Sequence, residues 1–348
     1  MKFKHTINKI CFPFLVAVFI FSSCIKEDVS DCPVPGMRLA PRFIMHTQKD
    51  ANGEYIDMFG ETARKVDYYI FDEAGLLVEM ISEEGKFLNG QQTEIPQLAA
   101  GKYRVVTWVN NLDATALNIT PQKDITTIDE LLLSLKEAAS KQITLHPESL
   151  LYGSTEFTVT TNGNQVIPVN LIRDTNKIRV IVRWKNKAVG GWCLDTHHMR
   201  TTRLYLEGDN GTLDFDNNVS RGNWLTYIPW YFTGDELKPY QETEGAATVA
   251  GEFDIMRLIK DESRKELIIK KLQPEDNTDV ENEVFKLMLM DYIREYFKAS
   301  GQSYTQEALD RKETFLVELE FDCTAWTAVS IAVEGWVLVD NGTVEPIN

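Results

Sequence analysis

Basic residues are scarce in this 348-residue chain: 36 Lys+Arg stand against 52 Asp+Glu, a formal charge of -16. So acidic a chain is a poor grip for nucleic acid, whose binding depends on neutralising phosphates. Histidine and cysteine are scarcer still, five of each, and none stands at metal-ligand spacing. There is no G-x-S-x-G, no H-E-x-x-H, no P-loop and no Cys/His nucleophile arrangement. Carboxylates are abundant throughout, so no pair singles itself out as acid and base. The expectation is a protein without catalysis and without a cofactor. The rest of the composition is ordinary for a globular chain, 43% hydrophobic and 25% charged, with a length of about two domains.

The N-terminus reads as an export signal over residues 1–23. Lys2, Lys4 and Lys9 precede an uncharged run of 12 residues, Ile10 to Phe21, too short to span a bilayer and right for a signal core. Ser22 and Ser23 then lead to Cys24, an arrangement that resembles a bacterial lipobox, although Phe21 stands where Leu is usual. Cys24 is thus the expected lipidation site. Each buried acyl CH₂ contributes ~0.8 kcal/mol, so several acyl chains hold firmly. Removing the signal leaves 33 basic and 52 acidic residues, a charge of -19. The lipid, not the protein surface, would therefore hold the outer membrane. Lys26, Glu27 and Asp28 resemble the signal that sends Bacteroidetes lipoproteins to the cell surface. Residues 24–36 form a polar tether. Of the remaining thiols, Cys32, Cys193 and Cys323 allow one internal disulfide at most, and spacing does not choose the pair.

The body reads as mainly β with a few short helices. Met37–Met45 is a first strand, with Pro41 marking an edge or bulge. Val66–Phe71 and Leu76–Ile81 flank the turn Asp72–Gly75, and Gly101–Val109 is a further strand. Thr127 and Glu130 form a capping-box pattern, and Ile128, Leu131, Leu132, Leu135 and Ala139 follow at helical spacing, which predicts a helix. Asn162-Gly163 predicts a hairpin between Thr155–Thr161 and Val166–Ile172. Gly208–Gly211 predicts another between Thr202–Glu207 and Leu213–Phe215. In Lys177–Trp184 every second residue from Ile178 is apolar, a strand with one buried face. Strands are also expected at Glu252–Leu258, Glu266–Leu272, Thr314–Phe321 and Val329–Val339, with a helix over Leu287–Ala299. Many short strands between Gly/Asn/Asp turns point to β-sandwiches, one over residues 37–173 and a second over 174–348. His197-His198 reads as a surface turn, and Asp209, Asn210, Asp214 and Asp216 as a turn without calcium-loop spacing. The aromatic stretch Trp224 to Tyr231, with Trp230 within it, either fills a core or stacks on sugars.

Several segments, in order and spacing, resemble the FimB-type fimbrial subunit family of Bacteroidales, the anchor subunits of type V pili. They are Cys24 with Lys26-Glu27-Asp28 and Asp31-Cys32-Pro33; Phe71–Gly75; Gly101-Lys102-Tyr103 running to Trp108; Leu171-Ile172-Arg173 leading into Ile178 and Val180; Met256-Arg257-Leu258; Leu309-Asp310-Arg311; and Gly335-Trp336. Glu334 departs from the Asn expected before Gly-Trp. The resemblance implies tandem transthyretin-like β-sandwiches, no catalysis, and a place at the pilus base. It also implies a fimbrial stalk subunit as partner, bound by strand addition. The alternatives are a stalk or tip subunit, or a surface glycan-binding lipoprotein. The last would expose Trp224, Trp230 and Tyr231 in one flat row.

Overall fold

In strand Lys65–Asp72 (β2) the apolar residues do not alternate with polar ones, and both faces are buried. Val66, Tyr68 and Ile70 face one hydrophobic cluster, Tyr69 and Phe71 another, so β2 lies between two cores and needs a nearly continuous apolar run. This computed structural model describes residues 36–340 apart from 138–140, 161–163, 187, 194–195, 220–223, 234–247, 262–263 and 276–277. Met37–Asn348 forms one compact unit.

β2 pairs with Leu77–Glu84 (β3) as the expected hairpin. Asp72 turns the chain by accepting from the N–H groups of Ala74 and Leu76, and Gly75 takes φ +80. Gly101–Val109 (β5), Leu151–Val159 (β9) and Ile172–Arg173 (β11) complete a sheet of order β11-β9-β5-β2-β3. A smaller sheet covers one face, with Met37–Arg42 (β1) between Gln165–Asn170 (β10) and Thr93–Ile95 (β4). Leu39, Ile167 and Val169 of that sheet meet Val66, Val105 and Leu151 of the larger one in the first core. Pro41 sits in β1 beyond the stretch that β4 pairs, Met37–Leu39, where its missing N–H breaks no ladder to β4.

The second sandwich is built on Thr175–Lys185 (β12). Ile178, Val180, Val182 and Trp184 are fully buried on one side, while Arg179 and Arg183 reach Glu252 and Glu318. Its sheet runs Tyr231–Phe232 (β16), Thr248–Met256 (β17), β12, Thr314–Asp322 (β20), Ala328–Val333 (β21), Trp336–Asp340 (β22). The opposing sheet runs Thr278–Met288 (β19), Lys265–Glu275 (β18), Thr202–Gly208 (β13), Leu225–Tyr227 (β15), Gln142–Ile143 (β8). Thr212–Asp214 (β14), Leu132–Leu135 (β7) and Thr115–Leu117 (β6) form a third, small sheet. β8 and β14 thus cross between the halves of the chain, and Phe215 packs on Tyr69, Phe71 and Trp108. Among the described residues four short helices punctuate the strands: Phe59–Thr62 (α1), Thr196–Thr201 (α2), Leu289–Ala299 (α3) and Gln306–Arg311 (α4).

Several expectations are corrected. The capping box at Thr127 and Glu130 forms, with the Thr127 N–H donating to Glu130 Oε2 at 2.7 Å, yet it starts only the 3₁₀ turn Ile128–Glu130. The chain then becomes β7, because Leu131, Leu133 and Leu135 bury with period two between partners on both sides. The strands flanking Asn162-Gly163 form no hairpin: β9 stays in the five-stranded sheet and β10 runs parallel to β1; the turn itself lies outside the described residues. Gly208 and Gly211 do not turn a hairpin either. A Cβ at Gly208 would meet Lys265 Nζ at 2.3 Å, and one at Gly211 would meet Leu225 Cδ1 at 2.1 Å, so both serve close packing. Val329–Val339 is a hairpin of β21 and β22 rather than one strand, turning at Glu334 and Gly335, both at positive φ. His197-His198 lies in α2, and His198 is buried, stacked on Trp184 at 5.4 Å. The disulfide joins Cys193 to Cys323; Cys32 lies outside the described residues.

Candidate interface: the outer edge of the last strand

A sheet edge exposes unpaired N–H and C=O groups, and proteins blunt it with charge, proline or shortness. Most edges here carry such protection. β3 bears Glu79, Glu83 and Glu84, with Lys123 3.1 Å from Glu79. β19 bears Glu281 and Glu283. β10 contains Pro168, and β16, β8 and β11 are two residues long.

β22 differs. Four of its five residues, Trp336-Val337-Leu338-Val339, are apolar, and Trp336 and Val337 are 46% and 58% exposed. Among the described residues its outer side has no strand partner. Beside it a groove of about 350 Å³ is walled by Tyr292 and Ala299 of α3 and by Val337, Leu338 and Val339, with Asp291, Glu295 and Lys298 at its rim. The sequence explains the wall. Leu289, Tyr292, Ile293, Tyr296 and Phe297 recur at helical spacing and bury α3 against the sheet. Gly301, at φ +70, ends that helix.

The turn that presents β22 depends on Glu334, the residue that departs from the expected Asn. Its carboxylate accepts from the Leu316 N–H at 2.7 Å and from Lys312 Nζ at 2.8 Å. The hairpin is thereby tied to β20, which a shorter Asn side chain in the left-handed conformation could not do equally.

Two of the segments that carried the family resemblance, Met256-Arg257-Leu258 and Leu309-Asp310-Arg311, meet in a buried knot. Arg257 grips Asp310 through two bonds of 2.7 Å, and Gln306 Nε2 donates to the same carboxylate at 2.8 Å. Asp174, fully buried, accepts from Asn217 Nδ2 at 3.0 Å; burial pushes its carboxyl up to about 7 against the pull of Arg257. Arg311 donates to the carbonyls of Ile44 and His46. Arg257, Asp310 and Asp174 position the chain, while Arg311 and His46 also line a cleft between the halves. Lys265, missed by the sequence reading, is another buried charge-bearing group. It contacts Asn210 and the Tyr227 ring, and desolvation lowers it to about 7.

Cys24, Lys26, Glu27 and Asp28 lie outside the described residues. The Met37–Met45 strand, in which Pro41 suggested an edge or bulge, is paired on both sides over Met37–Leu39 and open toward β4 only beyond it. The tryptophans divide. Trp108 and Trp184 are core, whereas Trp224, Trp230 and Trp336 are exposed. The Trp230 and Tyr231 rings incline at 55° to each other, and Trp224 Nε1 is tied to Glu207 at 2.7 Å. That is not a flat row.

The family model for fimbrillin-A associated anchor proteins Mfa1 and Mfa2 matches residues 29–342. No curated protein matches the chain. Among solved structures, a candidate polysaccharide-binding protein of Bacteroides thetaiotaomicron is similar at 25% identity, covering 89% of this chain and 98% of its own, with a TM-score of 0.70. A candidate adhesin of the same species is similar at 19% identity, covering 90% and 100%, with a TM-score of 0.68. The fimbrial anchor protein Mfa2 of Porphyromonas gingivalis shares 17% identity over 88% of this chain and 99% of its own, with a TM-score of 0.65.

Proposed function

The chain belongs to the family of fimbrillin-A associated anchor proteins, and from that premise we propose that it anchors a type V fimbria to the outer membrane, joining a stalk subunit by strand addition on the outer edge of β22. The carrying observation is that edge: an apolar strand without an outer partner among the described residues, beside a groove of about 350 Å³. An added strand takes main-chain hydrogen bonds from β22 and seats alternate side chains in the groove. Five residues offer two or three outward-facing groups of each kind, each bond contributing a net ~0.5–1.5 kcal/mol. Exposed Trp336 and Val337 add apolar burial.

Membrane attachment in this reading is by acylation of Cys24, with Lys26, Glu27 and Asp28 directing the protein to the cell surface. The support is the sequence grammar of residues 1–28. Cys24→Ala should abolish labelling by a fatty-acid probe and shed fimbriae into the medium. Replacing Lys26, Glu27 and Asp28 by Ala should keep the label and remove sensitivity to protease added to intact cells.

The edge is tested with Val337→Pro and Leu338→Pro. The β21–β22 register shifts between Val337 and Val339 and leaves Leu338 without a partner in β21, so the variant that keeps its melting temperature is the one whose lost N–H faces outward. The outward variant should keep its melting temperature and lose co-purification with the stalk subunit. Wild-type binding should survive 1 M NaCl, because it depends little on exposed charge. Stalk binding retained by the outward variant, or lost at high salt, overturns the reading.

A further inference from the structure

A second concavity lies away from β22. It is a cleft of about 440 Å³ lined by polar side chains from both halves of the chain, within the roughly 300–1,000 Å³ of small-molecule sites. Basic Arg64, Arg173 and Lys177 stand among acidic Glu148, Asp254 and Glu313. Such a lining suits neither an apolar ligand nor an anion, which would face the acids and the overall charge of -16. It suits a ligand whose groups both donate and accept.

Two further observations point the same way. An exposed aromatic ring adjoins the cleft. Trp230 is 43% exposed, its ring 5.9 Å from Lys177 Nζ and 5.8 Å from the His146 ring, next in sequence to the cleft residue Pro147. Asp254, raised to about 6 by burial despite Lys177, is a desolvated acceptor that hydroxyl donors would stabilise.

We propose that this cleft binds the end of a neutral oligosaccharide, with hydroxyl groups engaging Lys177 and Asp254 and a sugar face stacking on Trp230. No bond is made or broken. One ring at the mouth of a polar cleft replaces the flat aromatic row that a glycan binder was expected to show. The site is separate from β22, so it can fail while the anchor reading stands, and the reverse.

The test presents the mature full-length chain to an array of neutral, uronic and sulfated glycans, followed by calorimetry with the tightest neutral binder. We expect saturable binding of a neutral glycan, weakened at least tenfold by Trp230→Ala and by Asp254→Asn and unchanged by Trp336→Ala. Hydroxyl-radical footprinting of the wild-type complex should protect Trp230 and His146, a readout that needs no variant to fold. The proposal is overturned if no neutral glycan is retained, if only acidic glycans bind, or if binding leaves Trp230 unprotected.

Discussion

Removing the Cys193–Cys323 bridge by Cys193→Ser with Cys323→Ser should cost about 3–5 kcal/mol of stability. The bridge spans 130 residues of sequence. In the chain-entropy account, closing a loop of that length withholds about 5 kcal/mol of disorder from the unfolded chain. The folded side loses little. The β12–β20 ladder already pairs Lys185 with Asp322 beside the bridge, and the Cys193 and Cys323 N–H groups bond the carbonyls of Trp184 and Lys185. The cysteines can therefore be replaced without moving the strands. Guanidinium unfolding followed by tryptophan fluorescence is the assay, since Trp184 and Trp326 lie 5.7 Å apart in this region. The variant's transition should also steepen, because an uncrosslinked unfolded chain exposes more surface. A double variant within ~1 kcal/mol of the oxidised wild type would falsify the entropic argument. A companion count is available: a chain beginning at Ile25 holds Cys32, Cys193 and Cys323. It should titrate one thiol when folded and three after reduction.

Val180 is fully buried, so Val180→Asp should destabilise the fold by several kcal/mol, roughly 4, through an unpaired buried charge; thermal melting within a few degrees of wild type would contradict its placement. Asp174 binds its proton more tightly folded, at about 7, than its ordinary 3.8. Its stabilising contribution is thus complete below pH ~4 and is lost as pH rises through 7, at up to about 1.4 kcal/mol per pH unit. Asp174→Asn should flatten that decline, and identical pH profiles for the two proteins would count against a proton on Asp174. Gly211→Ala forces a Cβ to 2.1 Å from Leu225 Cδ1 and should cost ~1–3 kcal/mol as overpacking, measurable by denaturant midpoint. Because β8 and β14 are exchanged between the halves, residues 37–348 should melt in one calorimetric transition, and two resolved peaks would refute the coupling.

The strands with a clear period were legible in the sequence. Ile178, Val180 and Val182 announce one buried face, and Leu289 to Phe297 announce a helix. What failed was decided by residues far away in sequence. Leu131, Leu132 and Leu135 fit a helix and a strand equally, and the partner segment at 212–214 settles the matter. Gly208 and Gly211 look like turn residues until Lys265 and Leu225 are seen against them. The candidate interface was legible only as a strand near the C-terminus. Whether an edge is open depends on sheet order, and no local pattern encodes that β22 comes last after β21. The family segments stand out in the sequence as a set, but that Arg257 and Asp310 hold each other across 53 residues is decided by the fold.

The parallel pairing of β1 with β10 bears on how the molecule carries load. The six residue pairs from Met37–Gln165 to Arg42–Asn170 lie in one ladder, and a tether of the kind proposed for residues 24–36 would lead into its Met37 end. Tension from a membrane attachment would act along β1. A strand drawn lengthwise past its neighbour strains its cross-strand bonds together, whereas a strand peeled sideways gives them up one by one. The first strand would therefore grip like a lap joint, so that, in the proposed anchor, a fimbria tugging on the body would be resisted at the point of entry by a whole ladder acting at once.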